Sequence, residues 1–298
     1  MIYAARGPFP GPRPIAAPRG MAYHAGMAQD LNPQKAHMAD ESMVRNLSAQ
    51  AEAIWPQELP ILRRHFLPAA PRILDAGCGT GEASWRLAEA FPGATLLGVD
   101  VLDTSLGRAR EKGARFGERV RFENRSIFEL GLPASSFDLV VCRHVLQSIP
   151  HAERAIAELV RVARPGGTVH LVAEDYGMIF FPQRRFDPMQ LWPEAPMRFG
   201  AATGTDMFIG RRAPAILSAL GLRDVAADYL AVDTLRVPRE TFARIWLAWR
   251  DGYADTIAGH VGMTPAEVAA RFDDQIETIR DPQSYAAWLV PVVSGTVK

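Results

Sequence analysis

The segment 72–82, with the sequence RILDAGCGTGE, constrains the fold of this chain more than any other stretch. An apolar run typical of a β-strand ends at Asp75, and the alternating glycines Gly77, Gly79 and Gly81 lead into a segment with helical spacing of apolar residues. Alternate glycines let the backbone turn sharply and approach a ligand closely, and the free N–H groups of the next helix point into the same space. In an open α/β sheet, nucleotide-like ligands bind at this end of the first strand. The segment therefore predicts a ligand-binding loop.

Two common nucleotide-binding loops do not fit this segment. The phosphate loop requires a Lys and then Ser or Thr after its glycines, and the dinucleotide fingerprint requires a third glycine where this chain has Glu82. The pattern D-x-G-x-G-x-G resembles the first motif of the class I S-adenosylmethionine-dependent methyltransferases, whose ligand carries an ammonium and a sulfonium. The alternative is a tight glycine turn that binds no ligand. The resemblance implies that S-adenosyl-L-methionine is the cofactor and that it is bound by Asp75, Gly77, Cys78, Gly79 and Gly81.

A second acidic residue ends the next predicted strand, Ala94–Asp100. Asp100 follows the glycine loop by about 20 residues, the distance at which a carboxylate accepts hydrogen bonds from ribose hydroxyls in nucleotide-binding α/β units. We therefore assign Asp100 and its neighbour Val101 to the cofactor site. The alternative for Asp100 is an N-cap of the helix that begins near Asp103. S-adenosylmethionine and NAD both carry a ribose that Asp100 could bind. This acid therefore predicts a ligand that contains adenosine and does not identify the methyl donor.

Ser126 and Ile127 follow the third predicted strand, Val120–Glu123. In the resembled family, an acidic residue and an apolar neighbour at this point contact adenine. The resemblance therefore implies that Ser126 hydrogen-bonds the adenine and that Ile127 packs on its ring. The sequence from Ser126 to Glu129 also fits a capping box, in which Ser126 begins a helix, and both interpretations of Ser126 remain open.

The apolar strand Phe137–Cys142 and the turn RPGG at 164–167 carry a second resemblance to the same family, and together the motifs span about residues 72–174. The resemblance implies that Arg143 contacts the methionine part of the cofactor mainly through its main chain. His144 is the candidate catalytic base, because histidine exchanges protons near neutral pH and this one would project from the carboxyl end of the strand. A purely structural histidine is the alternative.

The alternation of strands and helices predicts an α/β fold, a seven-stranded doubly wound, mostly parallel sheet of the Rossmann-like methyltransferase type with helical cap insertions. We expect the last strand, Ala286–Val297, to run antiparallel at the sheet edge. The predicted organisation is a mobile Pro/Gly-rich extension over 1–39, a helical lead-in over 40–70 that Pro56 and Pro60 interrupt, and a methyltransferase domain over 71–298.

Two segments beyond these motifs, near 177–211 and 238–283, are expected to form the cap. The second segment places Trp246 and Trp249 on one helical stripe, and Tyr176 follows the fifth predicted strand. We assign these three aromatic residues to substrate binding. An amphipathic helix that packs on the sheet would explain the stripe equally well.

The charge balance limits the possible partners. The chain has 33 Lys and Arg against 33 Asp and Glu, which leaves no electrostatic footprint for nucleic acid or an anionic membrane. Its two cysteines, Cys78 and Cys142, form no C-x-x-C pair, so neither a metal site nor a disulfide framework is predicted. Without a signal-peptide pattern or a long apolar run, we expect a cytoplasmic protein. The oligomeric state does not follow from the sequence.

The predicted function is S-adenosylmethionine-dependent methyl transfer to a small aromatic or hydrophobic metabolite by in-line displacement, with the acceptor atom (O, N or C) undecided. The resemblance is to the small-molecule branch that includes menaquinone and ubiquinone methyltransferases. One alternative is an NAD-dependent oxidoreductase, which shares Asp100 but is disfavoured by Glu82. The other is a non-catalytic S-adenosylmethionine-binding regulatory protein, which the serine at position 126 favours and the intact glycine motif disfavours.

Overall fold

A computed structural model describes residues 31–298, which form nine α-helices and eight β-strands. The helices are α1 (Lys35–Met38), α2 (Glu41–Leu62), α3 (Glu82–Ala90), α4 (Asp103–Gly113), α5 (Ala152–Val162), α6 (Glu194–Thr203), α7 (Ile209–Ala219), α8 (Arg239–Val261) and α9 (Pro265–Arg280). The strands are β1 (Arg72–Ala76), β2 (Thr95–Asp100), β3 (Val120–Asn124), β4 (Phe137–Arg143), β5 (Ala163–Val172), β6 (Ile179–Phe180), β7 (Arg223–Asp233) and β8 (Ala287–Thr296).

The strands form one sheet in the order β3-β2-β1-β4-β5-β8, with both β7 and the two-residue β6 paired to β8. Strands β1 to β5 are parallel to one another, and β8 is antiparallel to β5, β6 and β7. The predicted seven-stranded, mostly parallel sheet is therefore confirmed, with β6 as a short addition.

The predicted position of the last strand is wrong, although its antiparallel direction is correct. β8 lies inside the sheet, where Val292 pairs with Val172 of β5 on one side and with Asp228 of β7 on the other. Nearly all of β8 is buried, whereas the first seven residues of β7 are exposed or half-buried. An apolar run that is covered on both faces suits an interior strand.

Strand β4 illustrates how the sequence produces this sheet. Every residue of Phe137–Cys142 is buried, and the strand lies between β1 and β5. A continuous apolar run is typical of a parallel strand that is covered by helices on both faces. The following helix, α5, buries Ala155, Ile156 and Leu159 in the cluster that covers one face of β4.

The lead-in helix α2 continues through Pro56 and Pro60, so the predicted interruption is wrong. Proline removes a backbone donor and usually breaks a helix. Here Ile54, before the two prolines, and Ile61 and Leu62, after them, are buried in the core, which holds the proline-containing part of the helix in place. Tertiary packing therefore overrides the local preference.

The predicted extension over 1–39 falls mainly on residues 1–30, which lie outside the described residues. Residues 31–39 include α1 and contact the rest of the protein: the ring of His37 stacks on Tyr253 of α8, with centroids 4.9 Å apart. The Oε1 atom of the buried Gln34 accepts a hydrogen bond from the Tyr253 hydroxyl at 2.9 Å. The boundary predicted at residue 39 is therefore wrong.

Among the described helices, none is long and apolar enough for a membrane crossing.

Candidate active site

The glycine loop between β1 and α3 forms a tight turn. Gly77, Gly79 and Gly81 have φ values of 74°, 52° and 78°, in the left-handed region that favours glycine. A Cβ atom on Gly77 would lie 2.3 Å from Cγ2 of Val145. The amide of Gly77 donates to the carbonyl oxygen of Val99 at 2.8 Å, which fastens the loop to β2. Residues with side chains at these positions would close or distort the turn.

Asp100 lies beside this loop at the end of β2. Its Oδ2 accepts a hydrogen bond from the amide of Gly79 at 2.9 Å, and its Oδ1 accepts one from the amide of Leu102 at 3.0 Å. Burial raises the pKa of this carboxyl above its usual value. Helix α4 begins at Asp103 with Leu102 as its N-cap residue, so the N-cap interpretation of Asp100 is wrong. Each carboxylate oxygen retains a lone pair that can accept from a ligand hydroxyl.

Three predicted cofactor residues, Asp75, Cys78 and Gly81, support the loop and do not line the cleft beside it. Asp75 is buried, and its Oδ2 accepts a hydrogen bond from Oγ of Ser84 at 2.6 Å, which joins β1 to α3. Burial raises the pKa of Asp75 to about 6. Cys78 packs in the core beneath the loop, and Gly81 is the N-cap residue of α3. These three residues therefore support the loop, and their direct contact with a cofactor stays a prediction.

Ser126 and Ile127 line the cleft, and their contact with adenine stays a prediction. The amide of Glu129 donates to the carbonyl oxygen of Ser126 at 3.2 Å, and the amide of Phe128 donates to its Oγ at 3.3 Å. This is a tight turn, and in the described chain no α-helix begins here. The capping-box interpretation of Ser126 is therefore wrong.

Arg143 borders the cleft at the end of β4, but its guanidinium is bound to Glu58 of α2. Its Nη2 lies 2.7 Å from Oε2 of Glu58, and its Nε donates to Oε1 at 3.0 Å. Both side chains are buried, at 8 % and 0 % exposure. Burial alone would raise the pKa of Glu58, but Arg143 and His170 outweigh it and lower that pKa to about 2. The guanidinium therefore anchors α2 to the end of β4.

These loops surround one opening, here called the glycine cleft, with about 890 Å³ of empty space that includes solvent at its mouth. The N-terminal segment and α2 also contribute to its wall through Leu31, Asn32, Met38 and Leu47. The predicted site residues that line the cleft are Gly77, Gly79, Asp100, Val101, Ser126, Ile127, Arg143 and His144.

His144 follows β4 directly and is paired with a carboxylate. Its Nδ1 lies 2.7 Å from Oε1 of Glu174, which follows β5. Because the carboxylate accepts the Nδ1 proton, Nε2 keeps a lone pair, and Nε2 has no hydrogen-bond partner among the described residues. His144 also has a φ of 56°, which is uncommon for a residue other than glycine. The pair resembles the arrangement in which a carboxylate orients a histidine for proton transfer.

A second cavity adjoins the glycine cleft and is here called the polar chamber, with about 310 Å³ of empty space. His144 and Ser148 border both cavities, as do Met38 and Leu47. The polar side chains that line this chamber are Gln34, Asn46, Gln50, His144, Gln147, Ser148, Glu174, Tyr176 and Tyr253.

A third cavity, here called the aromatic chamber, has about 530 Å³ of empty space. It shares Gln34, Tyr176, Trp249 and Tyr253 with the polar chamber, so the glycine cleft, polar chamber and aromatic chamber lie in that order. The remaining aromatic and apolar lining residues are Trp192, Ala195, Pro196, Phe199, Met207, Ile257 and Phe272.

The three residues predicted to bind substrate occupy different positions. Tyr176 and Trp249 border both chambers, and burial together with the charge of Glu174 raises the pKa of Tyr176 well above its usual value. Trp246 is fully buried, lines none of the three cavities, and donates from Nε1 to Oε1 of Gln275 at 2.7 Å. The assignment of Trp246 to the substrate site is therefore wrong, because this side of the helix faces the core.

The sequence analysis assigned no site role to Asn46, Gln50 or Gln147, and it did not pair Glu174 with His144. Asn46 and Gln50 are buried polar residues on a largely apolar face of α2, a signal that the sequence contained. Glu174 follows the strand adjacent to β4, so its position beside His144 depends on sheet order. Gln147 lies in a short irregular segment, where no periodicity identifies it.

Comparison with known proteins agrees with the fold and the glycine cleft. Residues 73–167 match a family described as a methyltransferase domain. Over 106 residues the chain is 40 % identical to the trans-aconitate 2-methyltransferase of Deinococcus radiodurans, covering 35 % of this chain and 39 % of that protein. Over 123 residues it is 35 % identical to the demethylmenaquinone methyltransferase of Thermus thermophilus, covering 41 % of this chain and 55 % of that one. The aligned part is thus between about two fifths and just over half of the length of these two relatives.

A solved structure extends the likeness of fold beyond the matched domain. The phosphoethanolamine N-methyltransferase 2 of Haemonchus contortus, in complex with S-adenosyl-L-methionine, superposes with a TM-score of 0.52 at 20 % identity, covering 81 % of this chain and 52 % of that one. The sheet and cleft define a Rossmann-like methyltransferase fold. Residues 73–167 with their glycine motif are a methyltransferase domain of the class I S-adenosylmethionine-dependent type.

Proposed function

We propose that this protein transfers a methyl group from S-adenosylmethionine to a small acceptor molecule with an aromatic or hydrophobic part. The observation that carries this proposal is the order of the cavities, in which His144 borders both the glycine cleft and the polar chamber. A cofactor in the cleft and an acceptor in the chambers would meet at this histidine.

The residues of the glycine cleft fit the cofactor. Gly77 and Gly79 permit close approach of the backbone, and Asp100 has the position for the ribose hydroxyls. Ser126 and Ile127 have the position for adenine. Arg143 would contribute its main chain, because its guanidinium is bound to Glu58. Asp75, Cys78 and Gly81 hold the loop in shape from below.

The mechanism requires little chemistry from the protein. When bound, the cofactor would supply a methyl group on a sulfonium, and its sulfur would leave as a neutral thioether when an acceptor lone pair attacks the methyl carbon in line. His144 accepts through Nε2 the proton that the acceptor atom loses, and Glu174 fixes the ring orientation through Nδ1. The predicted cap segments, 177–211 and 238–283, contribute Trp192 and Trp249 to the walls that hold the acceptor and exclude water.

Cofactor binding is tested by calorimetric titration with S-adenosylhomocysteine and with NAD. We expect S-adenosylhomocysteine to bind and NAD not to bind. Asp100→Ala should weaken binding by about 1.5–3 kcal/mol, since it removes hydrogen bonds to a charged group. Asp103→Ala is the matched control, because this exposed carboxylate lies three residues further along and outside the cleft. Equal affinities of both variants would contradict the site.

Turnover separates an enzyme from a non-catalytic binding protein. Transfer of labelled methyl groups to a metabolite library should identify an acceptor, and His144→Gln should then lower kcat about 10²–10⁴-fold for an acceptor that loses a proton. The affinity for S-adenosylhomocysteine should stay within about threefold, because the ligand contacts come from other residues of the cleft. A variant with normal kcat would make His144 a structural residue.

A further inference from the structure

The polar chamber presents hydrogen-bond acceptors with nothing to accept. Asn46, Gln50, Gln147 and Glu174 are each no more than 3 % exposed, and one side-chain oxygen of each has no hydrogen-bond partner among the described residues. The Nε2 lone pair of His144 is likewise unpartnered there. Buried acceptors without donors are costly, so this group of atoms points to a ligand that donates several hydrogen bonds.

For Asn46 and Glu174, the other contacts of the side chain determine which atom is left without a partner. The amide nitrogen of Asn46 donates to Sδ of Met43 at 3.2 Å, which leaves its oxygen as the free atom. Oε1 of Glu174 is bound to Nδ1 of His144, which leaves Oε2 as the free atom. The chamber therefore offers one carboxylate oxygen together with neutral acceptors.

In the described part of the chain, the walls of the polar and aromatic chambers also carry an acidic residue without a Lys or Arg to balance it. Of the described residues that line the polar and aromatic chambers, none is Lys or Arg, and Glu174 is the acidic one. A carboxylate buried without a positive partner is unfavourable, whereas a bound cation would offset its cost. Tyr176, Trp249 and Tyr253 line the same space, and aromatic rings attract cations as well.

We propose that the acceptor molecule is a protonated amine on an aromatic or alkyl body. Its ammonium donates three hydrogen bonds, one to Oε2 of Glu174 and two among the side-chain oxygens of Asn46, Gln50 and Gln147, and its apolar body fills the aromatic chamber. Loss of one ammonium proton to Nε2 of His144 then frees the nitrogen lone pair for methyl transfer. An alcohol supplies one donor where the ammonium supplies three. A carboxylate or phosphate would face the charge of Glu174 without any basic side chain to balance it. This assignment of substrate class rests on the methyl transfer proposed above.

The test compares three end groups on constant bodies. Protein saturated with S-adenosylhomocysteine is titrated at pH 7.5 with 2-phenylethylamine, 2-phenylethanol and 3-phenylpropanoate, and with hexylamine, hexanol and hexanoate. We expect at least one amine to bind about tenfold or more tightly than its matched alcohol, and neither acid to bind measurably. Failure of both amines to bind, or equal binding of amine and alcohol, would overturn the proposal.

Two variants assign the preference to these residues. Glu174→Gln keeps the shape of the side chain and should reduce amine affinity to the level of the alcohol, while the alcohol changes less than about threefold. Gln50→Leu changes a residue of α2 and should weaken amine binding several-fold. This variant tests the proposal if Glu174→Gln does not fold. Glu153→Gln, an exposed acid of α5, is the control. An unchanged amine preference in a folded Glu174→Gln protein would also overturn the proposal.

The two proposals fail in different ways. If the wild-type protein binds S-adenosylhomocysteine but shows no amine preference, the substrate class is wrong and the methyl-transfer proposal stands. If S-adenosylhomocysteine itself does not bind, the proposed function is wrong.

Discussion

Single residues in this protein often serve the shape of the site rather than its ligand. Asp75 has the position of a motif residue, yet its carboxyl is buried and bonded to Ser84. Asp100 borders the cleft and also holds the amides of Gly79 and Leu102. The same motif that predicts a ligand therefore also includes residues that hold the loop in place.

The raised pKa of Asp75 predicts a pH dependence of stability. Burial raises this pKa to about 6, so the folded state binds the proton more tightly than the unfolded state. The protonated form therefore favours folding at low pH, and stability falls as the pH rises from about 4 to about 6. Asp75→Asn lacks this titration. As the pH rises from about 4 to about 6, the free energy of unfolding of the variant should therefore increase by about 2–3 kcal/mol relative to that of wild type.

Urea unfolding at several pH values measures this difference. Asp103→Asn serves as the control, because Asp103 is an exposed acid at the start of the adjacent helix α4. If the free energies of unfolding of wild type and Asp75→Asn changed in parallel with pH, the carboxyl of Asp75 would not be desolvated, contrary to the burial that the structure shows.

At the scale of elements, α2 joins the sheet to the cavities. It contributes Leu47 to the cleft, Asn46 and Gln50 to the polar chamber, and Glu58 to the ion pair with Arg143. It also packs along α8, where a Cβ atom on Gly252 would lie 2.5 Å from Oγ of Ser42. The lead-in helix is therefore part of the site.

Removal of the buried carboxylate of α2 should be strongly destabilising. Glu58→Gln leaves the guanidinium of Arg143 buried without its counter-charge, which typically costs about 3–5 kcal/mol. Glu52→Gln on the same helix removes an exposed ion pair with Arg244 and should cost no more than about 1 kcal/mol. Chemical denaturation at pH 7 measures both, and similar losses in the two variants would contradict the importance of this pair.

The two tryptophans of α8 should respond differently to the same change. Trp246→Phe loses the hydrogen bond to Gln275 and should destabilise the fold by roughly 1–3 kcal/mol with little effect on KM. Trp249→Phe alters a wall shared by both chambers and should raise the KM of the acceptor by about tenfold or more. Thermal unfolding and steady-state kinetics separate the effects. A KM change in Trp246→Phe alone would reverse these assignments.

At the scale of the whole molecule, the cap and the sheet share one core. Trp246 and Phe272 of the cap helices pack in the same cluster as Val172 of β5 and Val292 of β8. A cap that is continuous with the sheet core is not an independent domain.

Residues 31–298 should therefore unfold in one transition. Tryptophan fluorescence reports all six tryptophans, of which Trp192, Trp246 and Trp249 belong to the cap segments, and its unfolding curve should coincide with that of far-ultraviolet circular dichroism. S-adenosylhomocysteine at about 100 times its dissociation constant should stabilise both curves by about 2.7 kcal/mol. A fluorescence transition that is separate, or that the ligand does not shift, would mean that the cap unfolds on its own.

The sequence by itself determined the parts of this protein that depend on neighbours along the chain. The glycine motif predicted the loop after β1, the apolar run Phe137–Cys142 predicted a buried strand, and the acid at the end of β2 predicted Asp100 beside the loop. His144 was also selected from its place after β4. The predictions of the loop, the buried strand and the position of Asp100 agree with the structure because side-chain periodicity and the backbone freedom of glycine are local properties, whereas the role of His144 as a base stays a prediction.

Only the tertiary structure decided which distant residues meet. It placed β8 between β5 and β7, paired His144 with Glu174, and brought Asn46 and Gln50 of α2 to the polar chamber. Strand order and helix rotation depend on burial across the whole core, because many partners compete for each apolar face. Helical periodicity in the sequence gives a stripe of buried residues, but the packing of α8 determines that Trp249 borders the chambers while Trp246 lies in the core.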